Sequence, residues 1–168
     1  MGIFSALFGP QQTNYTVTIK SSIMPDAAIG EIVEGRLPQL KTNRIFLKKG
    51  EICHYIDKSI LMKEKAKKAF TGTGVGVNIA GVNIRRGFIE PEEYQYYDQV
   101  KGILYITNKR TIFEAKTNGF DKPHSSLTSI TSYSNAINMQ YGSTHYCIIV
   151  PNGVIAENVY NIVHKKTT

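Results

Sequence analysis

The chain reads as a mainly β protein of the α+β class, a meander of antiparallel strands closed by one C-terminal helix. Three observations predict this. Gly102–Ala115 (GILYITNKRTIFEA) carries two apolar arms around Asn108-Lys109, the pattern of a tight β-hairpin. Short apolar runs at Leu127–Ser134, Ala136–Gln140 and Tyr146–Val150 follow, each separated by turn residues. In the closing stretch PNGVIAENVYNIVHKK, Ile155, Val159, Ile162 and Val163 recur at helical spacing. Pro151-Asn152 can start that helix, and His164, Lys165 and Lys166 suit its C-terminal end.

The 168 residues fit one domain with an appended segment, and 42% hydrophobic content is enough for a core. No apolar run approaches the length that crosses a bilayer. MGIFSALFG is short and has no basic stretch before it, so it does not read as a secretory signal. Its sixth residue, Ala6, also departs from a myristoylation pattern. The expected location is the cytoplasm, with peripheral contact at a membrane left open. The net charge of +7 favours anionic partners without choosing among them.

Taken in order, residues 1–9 form a small apolar cluster ended by Gly9-Pro10, with Ile3, Phe4, Leu7 and Phe8 on one helical face. The plainer reading is a tail that docks on the domain or on a second copy. Tyr15, Val17 and Ile19 alternate as a short strand or extended arm. Pro25-Asp26 opens a short helix through Ile29, Ile32, Val33 and Leu37, weakened by Gly30 and Gly35 and stopped at Pro38. From Ile45 the alternation is strand-like, with Ile52, His54 and Ile56 on one face and Cys53 and Tyr55 on the other. A lysine-rich piece follows, then TGTGVGVN, then strand-like Val77, Ile79, Val82 and Ile84. Residues 90–99 (EPEEYQYYDQ) read as an acidic, tyrosine-rich loop. Asn108 is expected to supply positive φ at the hairpin turn, and a second turn is expected at Asn118-Gly119.

The hairpin residues Gly102 to Phe113 resemble the signature of GRAM domains, members of the pleckstrin-homology-like (PH-like) superfamily. Leu47-Lys48-Lys49-Gly50-Glu51-Ile52 is similar to the opening of the first strand in bacterial PH-like proteins, and the resemblance runs from about Leu47 to Lys165. It implies a strongly bent barrel of about seven antiparallel strands, capped by the C-terminal helix. The domain expected is residues 45–168, preceded by an extension over residues 1–44. Similar domains occur in uncharacterised bacterial and phage proteins, and the superfamily binds phosphoinositides, other lipids, peptides or proteins.

Lipid-binding members often use a basic loop between the first two strands. Here that connection holds Lys63, Lys65, Lys67 and Lys68, then Phe70, Gly72, Gly74 and Gly76. Lysines attract phosphate, glycines let backbone N–H groups approach an anion, and Phe70 can enter a head-group layer. The plainer reading is a solvated strand edge and a turn, since edge lysines also block strand pairing. TGTGVGVN lacks the Gly-Lys-Ser/Thr ending of a phosphate-binding P-loop, and no helical pattern follows it. Tyr94, Tyr96 and Tyr97 in the acidic loop form a candidate protein contact. Nucleic acid ranks third, because the tyrosines cluster with acids rather than with bases.

No catalytic set emerges. His54, His124, His145 and His164 are scattered, and no serine occupies a nucleophile-elbow motif. Cys53 and Cys147 read as buried free thiols, with a disulfide left open. With His54 and His145 they count four metal-ligand types, but adjacent strand residues such as Cys53 and His54 point to opposite faces. The expectation is a non-catalytic binding module with no cofactor and no metal. Its partner is an anionic lipid surface or a protein, and assembly as a homo-oligomer is the alternative.

Overall fold

Seven antiparallel strands form one sheet, in the order β4-β3-β2-β1-β7-β6-β5. They are β1 (Cys53–Glu64), β2 (Tyr97–Thr107), β3 (Arg110–Glu114), β4 (Phe120–Pro123), β5 (Leu127–Tyr133), β6 (Ala136–Tyr141) and β7 (Thr144–Ile149). Two helices accompany them, α1 (Asp26–Val33) and α2 (Gly153–Thr167). This is a computed structural model, and it describes residues 18–64 and 97–167. Seven antiparallel strands followed by a C-terminal helix is the arrangement that the PH-like resemblance implies.

The sheet is not closed into a barrel, because β4 and β5 remain its two edges. At its centre, β1 pairs with β2 from Cys53 to Glu64 but meets β7 only at Ile60 and Leu61. The first half of β1 therefore has an open flank, and residues 18–40 occupy it. Leu40 bridges to Cys53, and the His54 ring bonds the Pro38 carbonyl at 2.7 Å. Asp57 accepts from the Ser22 hydroxyl at 2.5 Å and from Ile23 N–H at 2.9 Å. Met24, Ala28 and Ile32 join the same core cluster as Leu104, Phe113, Ile148 and Val159.

Helix α1 ends as the chain chemistry requires. Gly35 takes φ +81°, its N–H bonds Ile32 O at 3.0 Å, and Arg36 N–H bonds Glu31 O at 2.8 Å. This pair of bonds is a Schellman cap, so Gly35 terminates the helix rather than weakening it. Val33, expected on the apolar face, is 66% exposed, while Ala28 takes a buried place. At the start of α2, the Asn152 side-chain oxygen accepts from the N–H groups of Val154 and Ile155 at 3.0 and 3.3 Å, an N-cap.

Three further expectations are corrected. Cys53 and Tyr55 do not share a face. A bulge between them shifts the register against β2, so Cys53 packs with Tyr105, Ile112 and Ile56 while Tyr55 enters the main core. Residues Leu47–Ile52 do not open the first strand, which starts at Cys53. Residues 97–99 belong to β2 rather than to a loop, because they pair with Met62–Glu64. Cys53 and Cys147 are free thiols.

The space between sheet and α2 is filled. The Tyr141 hydroxyl donates to Thr111 Oγ1 at 2.8 Å, and Thr111 Oγ1 lies 2.5 Å from the Tyr160 hydroxyl. These groups are buried, so their mutual hydrogen bonds offset the cost of removing them from water.

Candidate functional site

The sheet presents two ends. At one, β1 leaves the sheet at Glu64 and β2 returns at Tyr97. The register pairs Lys63 with Asp98 and Glu64 with Tyr97. The lysine-rich and tyrosine-rich stretches therefore leave and enter the sheet at adjacent positions. β3 runs parallel to β1 and β7 antiparallel to it, so the β3–β4 and β6–β7 connections lie towards the same end. Lys63 is exposed and its Nζ donates to Asn118 Oδ1, 2.5 Å away in the β3–β4 connection. Asn118 holds φ +58° there, as a tight turn at Asn118-Gly119 needs.

Of the candidate residues, Lys63 and the backbone of Tyr97 fall within the described residues. Lys65, Lys67, Lys68, Phe70, Gly72, Gly74, Gly76, Tyr94 and Tyr96 lie outside them, as do the strand expected through Ile79 and Ile84 and the apolar cluster of residues 1–9.

The other end is the β2–β3 hairpin, and its signature residues act as a clamp. Thr107, Asn108, Lys109 and Arg110 all reach the segment that precedes β1. Asn108 Oδ1 accepts from Ile52 N–H at 2.8 Å, and its amide nitrogen donates to Gly50 O at 3.0 Å. Asn108 does not take positive φ, so its side chain rather than its backbone explains its place in the turn. Lys109 Nζ donates to Lys49 O at 2.7 Å. Arg110 bonds both carboxylate oxygens of Glu51, at 2.8 and 3.2 Å, and the Phe46 carbonyl at 2.5 Å. It also pairs with Asp121 on β4. Thr107 donates to Glu51 Oε1 at 2.7 Å, and Lys48 N–H to Oε2 at 2.6 Å. Burial opposes charge on Glu51, yet these hydrogen bonds hold its carboxyl below the ordinary range.

The clamp leaves a tip exposed. Ile45 packs inward against Cys53, Tyr105 and Ile112, while Phe46 is 96% exposed and Leu47 is 37% exposed. Lys48 and Lys49 flank them in the open. The acids nearby are committed elsewhere, Glu51 and Asp121 to Arg110, and Glu114 to Arg44 and the Tyr105 hydroxyl. Sequence reasoning passed over this tip by reading Leu47–Ile52 as strand. The available signal was Phe46-Leu47 set directly before Lys48-Lys49-Gly50, where a half-buried strand would alternate.

The histidines are less scattered than the sequence suggests. The His124 ring is buried at the end of β4, bonds Thr107 O through Nε2 at 2.7 Å, and lies edge-on to Tyr160 and 6.0 Å from the His164 ring. Burial lowers the pKa of both His124 and His54. Among the described residues no three His, Cys, Asp or Glu side chains converge as metal ligands, and no helix is long and apolar enough to cross a membrane.

No family model matches the chain, and no curated protein matches it by sequence. Four chains of solved structures match it, two of which follow. One is the Vps36 N-terminal PH domain, at 10% identity and TM-score 0.44, over 78% of this chain and 92% of that one. The other is the C-terminal domain of an unknown protein from Leishmania infantum, at 12% identity and TM-score 0.41, over 67% and 83%. At these TM-scores the architecture rests on the strand order and register above.

Proposed function

We propose that the chain is a non-catalytic PH-like binding module that recruits or assembles at an anionic membrane surface. The observation that carries this is the β1–β2 register, with Lys63 opposite Asp98 and Glu64 opposite Tyr97. The lysine-bearing connection Lys63–Gly76 thus starts from a paired strand end, and Lys63 there bonds Asn118 of the β3–β4 connection. The net charge of +7 favours an anionic surface, where each lysine contributes about 1 kcal/mol. The hairpin motif supports a GRAM or bacterial PH-like type, of the kind found in bacterial and phage proteins. The site residues are Lys63, Lys65, Lys67, Lys68, Phe70, Gly72, Gly74 and Gly76.

Flotation with phosphatidylserine vesicles tests this reading. The wild-type chain floats at low salt, and Lys65→Glu with Lys67→Glu weakens flotation severalfold. Unchanged flotation of that variant removes the lysine connection as the contact.

A protein partner or a second copy of the chain is the second reading. Tyr94, Tyr96 and Tyr97 favour it, since tyrosine suits interfaces and Tyr97 opens β2 at that end. A strictly monomeric species in light scattering counts against the self-assembling form.

A further inference from the structure

We infer that the Phe46–Lys49 tip is a membrane wedge at the hairpin end of the sheet, opposite the β1–β2 connection and so an alternative to the lysine contact rather than an addition to it, which seats Phe46 among the acyl chains of an anionic leaflet. The inference rests on reading the chain as a module for an anionic surface, but not on the β1–β2 end.

Three observations carry it. Phe46 is 96% exposed, and Leu47 beside it is partly exposed. A large aromatic side chain held almost wholly in water carries unfavourable apolar hydration that burial would release. The tip is also rigid in a specific way. The Phe46 carbonyl is bonded by Arg110, Lys49 O by Lys109, and Ile45 is packed inward. The backbone beneath Phe46 is thus already ordered, which removes part of the cost of presenting it to a partner.

Charge then selects the partner. Arg110 and Arg44 pair with Glu51, Asp121 and Glu114, Lys48 and Lys49 follow Phe46-Leu47 in the open, and Lys109 Nζ is held at Lys49 O, so five cationic side chains face three carboxylates at this end. An exposed aromatic next to exposed lysines, with cations in excess, matches a leaflet whose surface is negative and whose interior is apolar. A neutral apolar groove on a protein satisfies the phenyl ring but leaves the lysines unanswered.

The sequence supplies a clean reporter, since it contains no tryptophan. Phe46→Trp places a single indole at the tip. Its emission is expected to shift to the blue with phosphatidylserine vesicles at low salt, to be quenched by brominated acyl chains, and to stay unshifted with phosphatidylcholine alone. Phe46→Ala is expected to weaken vesicle partitioning about tenfold or more without lowering the melting temperature, because the side chain packs on nothing. If vesicles bind the chain while the indole stays in water, the wedge is refuted and the module reading survives, with Lys65→Glu/Lys67→Glu then abolishing binding. If the wild-type chain binds no anionic vesicle, wedge and anionic-membrane reading fall together. A blue shift that grows with protein concentration in the absence of lipid makes the tip a contact between copies and also overturns the wedge.

Discussion

Arg110 and Glu51 form a bidentate ion pair, Nε to Oε1 at 2.8 Å and Nη2 to Oε2 at 3.2 Å, with the Glu51 side chain fully buried. The pair joins the β2–β3 hairpin to the segment entering β1, so it ties strand order to the presentation of the Phe46 tip. Removing one partner leaves the other charge only partly compensated, Arg110 by Asp121 and the Phe46 carbonyl, Glu51 by Thr107 and Lys48 N–H. Arg110→Ala and Glu51→Ala are each expected to cost about 3 kcal/mol or more of stability. Arg110→Lys is not expected to rescue, because an ammonium cannot reproduce the fork. Chemical denaturation checks this, and a loss within experimental error of zero contradicts it.

Acid should destabilise the fold in two stages. His54 and His124 have pKa values lowered from 6.5 by burial, so the folded state favours their neutral forms. Their contribution is complete above pH 6.5 and is lost as pH falls through the lowered folded values. Glu51 adds a second loss at lower pH, since its carboxyl is held below 4.5. His124→Gln retains a donor for Thr107 O and removes the titrating ring. It should flatten the fall of the melting temperature as pH drops below 6.5, relative to wild type. An unchanged slope in that window rejects the role given to His124.

Two tyrosine hydroxyls in the core predict opposite outcomes. Tyr160 shares Thr111 Oγ1 at 2.5 Å, whereas the buried Tyr55 hydroxyl has no hydrogen-bond partner among the described residues. Tyr160→Phe should cost about 1 kcal/mol or more, and Tyr55→Phe should be neutral or stabilising. Equal losses from the two substitutions contradict the assignment.

Gly102 opens the hairpin motif for a steric reason. A Cβ there would lie 2.4 Å from Glu114 O and 2.7 Å from Cζ of Phe113, a ring buried in the core. Gly102→Ala should therefore cost about 2 kcal/mol, through a shift of β2 against β3. Thermal unfolding measures it, and a wild-type midpoint shows that the contact yields freely.

The hairpin and the C-terminal helix were legible in the sequence because each is a local pattern. Apolar arms around Asn108-Lys109, and Ile155, Val159 and Val163 at helical spacing, need no distant partner to be read. Gly35 was legible as a glycine but not as a cap, since its meaning depends on the bonds that Arg36 and Gly35 make back into α1. The bulge between Cys53 and Tyr55 puts these two residues in different clusters, and nothing in a period-two pattern marks the extra residue. Asn108 was read for its backbone when its side chain does the bonding, to a segment 56 residues earlier. Phe46 was missed for the same reason. Its exposure follows from Arg110 and Ile45 fixing the backbone on a surface that forms only when β2 and β3 pair. The β1–β2 lysines were legible by composition alone, and what they contact is a question for binding measurements.

The central claim is that this module engages an anionic surface, and co-sedimentation with vesicles across a salt series tests it most directly. Surface charges attract over about 10 Å at 0.1 M salt and about 3 Å at 1 M. The chain should partition onto phosphatidylserine-containing vesicles at low salt, release steeply as salt rises, and ignore phosphatidylcholine vesicles throughout. The absence of binding to anionic vesicles at low salt, or binding indifferent to both salt and lipid charge, would contradict it.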